Sequence, residues 1–183
     1  SAILQAMILI ISSSLNSNSK SRIGAKYYQE LVADSDIPSE FLDLQDYADL
    51  PLCNAGSAYA DPRLDEINQK IAAAKTIIIA APIYNYDVNA ALKNFLELTS
   101  KEAWMNSLVG FICAAGSKVS YMAPIPFANS LMLDFRCLII PNFVLLTPGT
   151  INESGTVTCE DNKDRIQKMA DFSVKMTKAL ESF

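Results

Sequence analysis

The run Thr76-Ile77-Ile78-Ile79-Ala80-Ala81 constrains the fold more than any other stretch of the chain. It has no polar face, is rich in β-branched residues and is too short for a buried helix, so it reads as a strand covered on both sides. Further apolar runs stand at 7–11, 108–114 and 143–147, and another strand is expected at 40–44 after Pro38. Between them the apolar residues recur at helical spacing. Leu64, Ile67, Ile71 and Ala74 share a face after Asp61-Pro62, a capping pair that starts a helix without losing a needed N–H. Val88, Leu92, Phe95, Leu96 and Thr99 follow the same rule, as do Ile166, Met169, Ala170, Ser173, Thr177 and Leu180. Further helices are expected from the end of the first loop to Ala33 and, less regularly, over 123–135.

Five strands alternating with five helices imply an α/β chain with a parallel sheet and helices on both faces, because right-handed crossovers lay successive helices against the sheet. At 183 residues the length suits one domain, taken as 1–183, with residues 1–6 read as a cloning remnant and set aside. For the strand order 2-1-3-4-5, a ligand belongs beyond the carboxyl ends of the first and third strands. Both loops there have unusual compositions.

The first loop places six serines and two asparagines within residues 12–21, followed by Arg22. Hydroxyls, amides, free backbone N–H groups and the positive end of a helix would meet an anion there. The loop equally suits a solvated turn that caps the helix. Lys20, Arg22 and Lys26 make residues 1–29 locally basic in a chain of net charge −5, and the first acid is Glu30. Neither GxGxxG nor a P-loop ending is present. The second loop, Pro82-Ile83-Tyr84-Asn85-Tyr86, sets an amide and two aromatic rings at the end of the central strand, with Pro82 expected to stop the ladder. A planar, polar-edged ring system would suit that wall, and packing over neighbouring helices would also account for the tyrosines.

Acidity argues against nucleic-acid and membrane-surface partners, which need a broad excess of Lys and Arg. The absence of histidine removes Ser-His-Asp and Cys-His hydrolases from consideration. Cys53, Cys113, Cys137 and Cys159 form no CxxC pair and read as reduced thiols. With no run long enough for a spanning helix, and with too short an apolar start for a signal peptide, the expected location is the cytoplasm.

The two loops together resemble the NADPH-dependent FMN reductase family, whose first loop runs approximately Gly-Ser-Leu-Arg, two residues, Ser, one residue, Asn. Ser14, Leu15 and Ser19 match, with Ser13 at the glycine, Asn16 at the arginine and Ser21 at the asparagine. The family's Pro-x-Tyr-Asn and Leu-Lys-Asn correspond to Pro82-Ile83-Tyr84-Asn85 and Leu92-Lys93-Asn94, and a glycine loop after the fourth strand corresponds to Gly116-Ser117. The resemblance implies a flavodoxin-like three-layer sandwich around a five-stranded parallel sheet. It also implies FMN as cofactor and NAD(P)H as co-substrate. Ser13, Ser14, Asn16, Ser19, Lys20 and Ser21 would then lie at the phosphate, and Pro82, Ile83, Tyr84, Asn85 and Tyr86 along the ring. Gly116 and Ser117 would lie at its pyrimidine edge. Electrons would pass to a small acceptor such as a quinone, azo compound or flavin, in a homodimer or homotetramer. Trp104, Tyr121, Met122 and Phe127 would then form an interface or a substrate wall, if not ordinary core. An electron-carrier flavodoxin, or a binding module without cofactor, would share the fold.

Overall fold

The computed structural model describes residues 6–181, and residues 1–5 of the segment set aside above lie outside it. Its sheet runs β2(Ser39–Asp43), β1(Met7–Ser12), β3(Ala74–Tyr84) and β5(Leu108–Ala114), all parallel. The fifth position is shared by two short strands that both pair with β5: β6(Leu138–Ile139) and β7(Val144–Leu146). The order expected from the sequence therefore holds, with the last strand divided in two. A bend at Pro141-Asn142, with Asn142 at φ +65°, separates the two pieces, which both run parallel to β5.

Both faces of the central strands are buried, as their composition demands. Leu9, Ile11, Ile77, Ile79, Val109 and Phe111 pack on one side, under α2(Arg63–Ala73), α3(Ala90–Leu98), the short α4(Lys101–Trp104) and α5(Ile125–Phe135). Ile8, Ile10, Ile78 and Ile112 pack on the other, under α1(Lys20–Ala33) and α6(Glu160–Leu180). Each fully buried isoleucine contributes about 2 kcal/mol, which is why neither face can be left to solvent. Gly24 lets α1 lie close to the sheet: a Cβ there would stand 2.6 Å from Leu146 Cδ1 and 2.9 Å from Ile112 Cγ2. That close approach sets the amino end of α1 directly above the carboxyl end of β1.

Two expectations around the second loop are corrected. Pro82 does not end its strand. It still pairs in register with Ala114 of β5, and the chain continues through Tyr84 into an antiparallel hairpin with β4(Asp87–Val88). Val88 consequently belongs to β4, and α3 starts at Ala90. For Trp104 and Phe127 the ordinary-core alternative holds: both are buried, Trp104 between Phe95 and Phe135 with its Nε1 donating to Thr99 Oγ1 at 2.9 Å, while Phe127 also borders a surface groove. α2 starts at Arg63 with Pro62 at its N-cap, one position later than expected, and the Asp61 carboxylate just before it accepts the Arg63 N–H at 3.0 Å. No helix of the described residues is long and apolar enough to cross a membrane.

Candidate functional site

Beyond Ser12 the chain forms a compact polar loop over residues 13–19 before α1 begins. Ser19 is the N-cap: its hydroxyl accepts the Arg22 N–H at 3.2 Å and shares a hydrogen bond with Ser21 Oγ at 3.0 Å. Asn16 folds the middle of the loop, its Oδ1 accepting the Asn18 N–H at 2.9 Å, while Ser14 Oγ accepts the Asn16 N–H at 3.3 Å. Lys20 opens the helix and is exposed. Its N–H and that of Ser21 fall in the first turn, where no intrahelical acceptor exists. The first turn of α1 carries no acid, whereas α2 and α6 each have two there. The positive end of α1 is thus left without a carboxylate of its own.

Ser13 is drawn inwards. Its hydroxyl donates to Ala80 O at 3.1 Å and Asn89 Oδ1 at 2.8 Å, and Asn89 Nδ2 donates back to Ser13 O at 2.7 Å. All of these groups are buried, so the first loop is tied to the start of α3 and, through it, to the hairpin. Arg22 is likewise not solvated. It forms an ion pair with Asp43 at the end of β2 and donates to carbonyl oxygens of the first loop.

The second loop is the β3–β4 hairpin. Tyr84 pairs with Asp87, and the two residues between them, Asn85 and Tyr86, have φ of +52° and +64°. Positive φ at both central positions is the pattern of a type I′ turn, which favours Asn followed by Gly. Tyrosine in place of that glycine stores local strain. Ile83 is buried beneath the hairpin, and Tyr84 and Tyr86 are more than half exposed. Tyr86 Oη donates to Val119 O at 2.9 Å, which joins the hairpin to the third loop. There Ser117 accepts the Val119 N–H at 3.4 Å, and a Cβ on Gly116 would meet no protein atom within 4 Å. A groove of about 550 Å³ runs beside the hairpin, lined by Tyr84, Asn85, Asn89, Lys93 and Phe127 among others.

The arrangement fits a phosphate in the first loop and a planar ring against the hairpin. One further observation agrees. Ser12 Oγ, at the base of the loop, is the one buried side-chain oxygen or nitrogen without a partner among the described residues. The two buried thiols offer no competing chemistry. Burial pushes Cys113 up to about 12 and Cys137 up to about 11, so both stay protonated. Among the described residues no group of His, Cys, Asp and Glu could hold a metal ion.

The sequence-expected residues fall on three neighbouring loops. Ser13 is turned away from the open side, and Asn16 and Ser14 shape the first loop. Asn89 and Asp43 were not singled out. Asn89 precedes a helical run and reads as an N-cap, yet its side chain makes no cap bond and is spent on Ser13. Asp43 could have been found from the strand order, because it pairs in register with Ser12 on the neighbouring strand.

The model of the family described as NADPH-dependent FMN reductase matches residues 6–148. The NAD(P)H-dependent FAD/FMN reductase of Geobacillus thermodenitrificans is 24% identical over 149 residues, covering 80% of each chain. The FMN-dependent NADPH-azoreductase of Staphylococcus aureus is 25% identical over 173 residues, covering 90% of this chain and 89% of its own. Among solved structures, the flavoenzyme NAD(P)H:(acceptor) oxidoreductase of Paracoccus denitrificans superposes with a TM-score of 0.77 at 19% identity. That superposition covers 95% of this chain and 98% of the other, and supports the flavodoxin-like fold. The chain belongs to the NADPH-dependent FMN reductase family.

Proposed function

We propose that the protein is an FMN-dependent NAD(P)H oxidoreductase whose cofactor phosphate is held by the loop after β1 and whose flavin ring lies along the β3–β4 hairpin. The observation that supports this most directly is the juxtaposition of two unlike surfaces beyond adjacent parallel strands. One is a polar loop at an uncompensated helix amino end, and the other an aromatic hairpin. FMN, when bound, supplies two-electron chemistry between a nicotinamide and an acceptor, and the protein supplies binding and orientation.

Ser14, Ser19, Ser21, Asn16 and Lys20, with the backbone N–H groups of the loop, provide hydrogen bonds and charge to the phosphate. Ser13 serves from behind, by fixing the loop to Asn89. Pro82, Ile83, Tyr84, Asn85 and Tyr86 present a wall for the ring, and Gly116 with Ser117 leaves room at its polar edge. The exposed tyrosines and the open groove suit a flat small acceptor such as a quinone, an azo compound or a free flavin. Exposed Met132 and Leu133 on α5 support a homodimer or homotetramer, which light scattering reads directly. Free Cys53 and Cys159 fit a reducing cytoplasm.

Stopped-flow mixing of the FMN-loaded protein with NADPH, and separately with NADH, tests the reading. Rapid bleaching of the flavin's visible band, followed by its return on adding a quinone, is expected. A flavin that binds but is bleached by neither nucleotide would leave an electron carrier in place of a reductase.

A further inference from the structure

Arg22 lies just beyond the residues that match the family's first loop, and its surroundings are unusual for a cation beside a phosphate site. The side chain is buried and all five of its N–H groups are spent within the protein. Nε and Nη2 donate to the two Asp43 oxygens at 2.5 and 2.9 Å. Nη2 also donates to Ser14 O at 2.6 Å, and Nη1 donates to Asn16 O at 2.5 Å and, at longer range, to Ser17 O at 3.4 Å. A guanidinium has five donors and no more, so none remains for an anion. Asp43 also compensates its charge at contact distance.

Arg22 instead controls which way the loop's peptide groups point. In a planar trans peptide the carbonyl of one residue and the N–H of the next point in opposite directions. With the carbonyls of Ser14, Asn16 and Ser17 drawn to the guanidinium, the N–H groups of Leu15, Ser17 and Asn18 turn to the other side. The Asn18 N–H is taken by Asn16 Oδ1. Those of Leu15 and Ser17 have no acceptor among the described residues. The Asn16 N–H between them is taken by Ser14 Oγ, so the Leu15 and Ser17 N–H groups are two uncommitted donors of the loop, set beside the amino end of α1, where an anion is favoured.

We propose that Arg22 is the positioning residue of the phosphate loop: its planar fork, braced by Asp43, aims the Leu15 and Ser17 N–H groups at the phosphate of FMN without touching it. The proposal rests on the FMN reading above and adds to it a mechanism for a loop that has Asn16 where relatives place an arginine. Geometry carries the effect, and the charge of Arg22 does not.

Riboflavin lacks the phosphate and separates these possibilities. Apoprotein is titrated with FMN and with riboflavin, following flavin fluorescence, for the wild type, Arg22→Lys and Asp43→Asn, with thermal unfolding of each apoprotein alongside. Lysine keeps the charge and loses the fork. The expected result is a loss of at least tenfold in FMN affinity for Arg22→Lys, with riboflavin affinity changed less than twofold. An FMN-to-riboflavin ratio preserved in Arg22→Lys would overturn the proposal, as would an equal loss for both ligands, which marks a purely structural residue. If Arg22→Lys does not fold, Asp43→Asn decides: about threefold weaker FMN with unchanged riboflavin supports the positioning role, and parallel or absent changes refute it. A wild type that does not prefer FMN over riboflavin would instead defeat the placement of the phosphate itself.

Discussion

The loop after β1 and the hairpin after β3 stand on adjacent strands and face the same space, yet they are held by different means. The first is locked from behind. Asn89 grips Ser13 from the start of α3, Arg22, braced by Asp43 of β2, donates to its carbonyls, and Ser19 fastens its end to α1. The hairpin has a buried base at Ile83, but its tip carries two left-handed residues and a single side-chain anchor, Tyr86 to Val119 O. A phosphate needs donors fixed before it arrives, because reorganising them would consume the binding energy they supply. A ring site that must admit a nicotinamide and then an acceptor in turn is better served by a wall with some give. The largest consequence of this contrast falls on the Ser13–Asn89 bridge. Asn89→Ala strands Ser13 O and removes a partner from its hydroxyl, both buried, and is expected to lower stability by about 2 kcal/mol in urea unfolding. A change below about 0.5 kcal/mol would mean that the two loops are not coupled through this pair.

Ser19→Ala is the next step down, since it removes a helix cap without stranding a charge. The expected loss is about 1 kcal/mol of stability, with FMN weakened by a similar factor, on the order of fivefold in the dissociation constant. Unfolding and fluorescence titration of one preparation read both. Stability that falls while FMN affinity is unchanged would place the phosphate away from Ser19.

The parts of this design that were legible in the sequence are those set by local pattern. Residues 76–81 required a doubly covered strand, the spacing of Leu64, Ile67 and Ile71 required α2, and strand order then pointed to the two loops that meet beyond β1 and β3. Contacts between chain-distant polar groups were not legible. Nothing local marks Asn89 as the partner of Ser13, 76 residues away, or distinguishes an Arg22 turned inwards from a solvated one. The hairpin was missed for a related reason: a two-residue strand has no period, and Tyr86 occupies a turn position that ordinarily announces itself with glycine. Trp104 was unreadable because a large aromatic near a loop gives the same local signal whether it lines a pocket or fills the core.

Ser12 extends the contrast in a direction opposite to that of its neighbours. Its hydroxyl is buried without a partner at the base of a loop whose other buried side-chain polar groups are satisfied, so Ser12→Ala relieves a desolvated group in the apoprotein. The expected change is a gain of up to about 1 kcal/mol on removal of that group, read by urea unfolding without flavin. A loss of more than about 1 kcal/mol would show that the hydroxyl is engaged in the empty protein and that the loop is more fully satisfied than its hydrogen bonds indicate.

The smallest effect on stability is expected at the tip of the hairpin. Tyr86→Gly removes the left-handed cost of a non-glycine residue, about 1 kcal/mol, and returns a comparable amount as added freedom of the unfolded chain. The lost hydrogen bond to Val119 O is exposed and contributes little. The two backbone terms nearly cancel, so the melting temperature should move by no more than about 0.5 kcal/mol implies, roughly one or two degrees for a chain of this size. Turnover should nonetheless fall, because the residue lost is one face of the proposed ring wall. Unchanged turnover with unchanged stability would make Tyr86 a surface residue and confine the ring to Tyr84 and Asn85. A large loss of stability would show that the hairpin is as firmly built as the loop after β1, and the proposed division of labour between them would not stand.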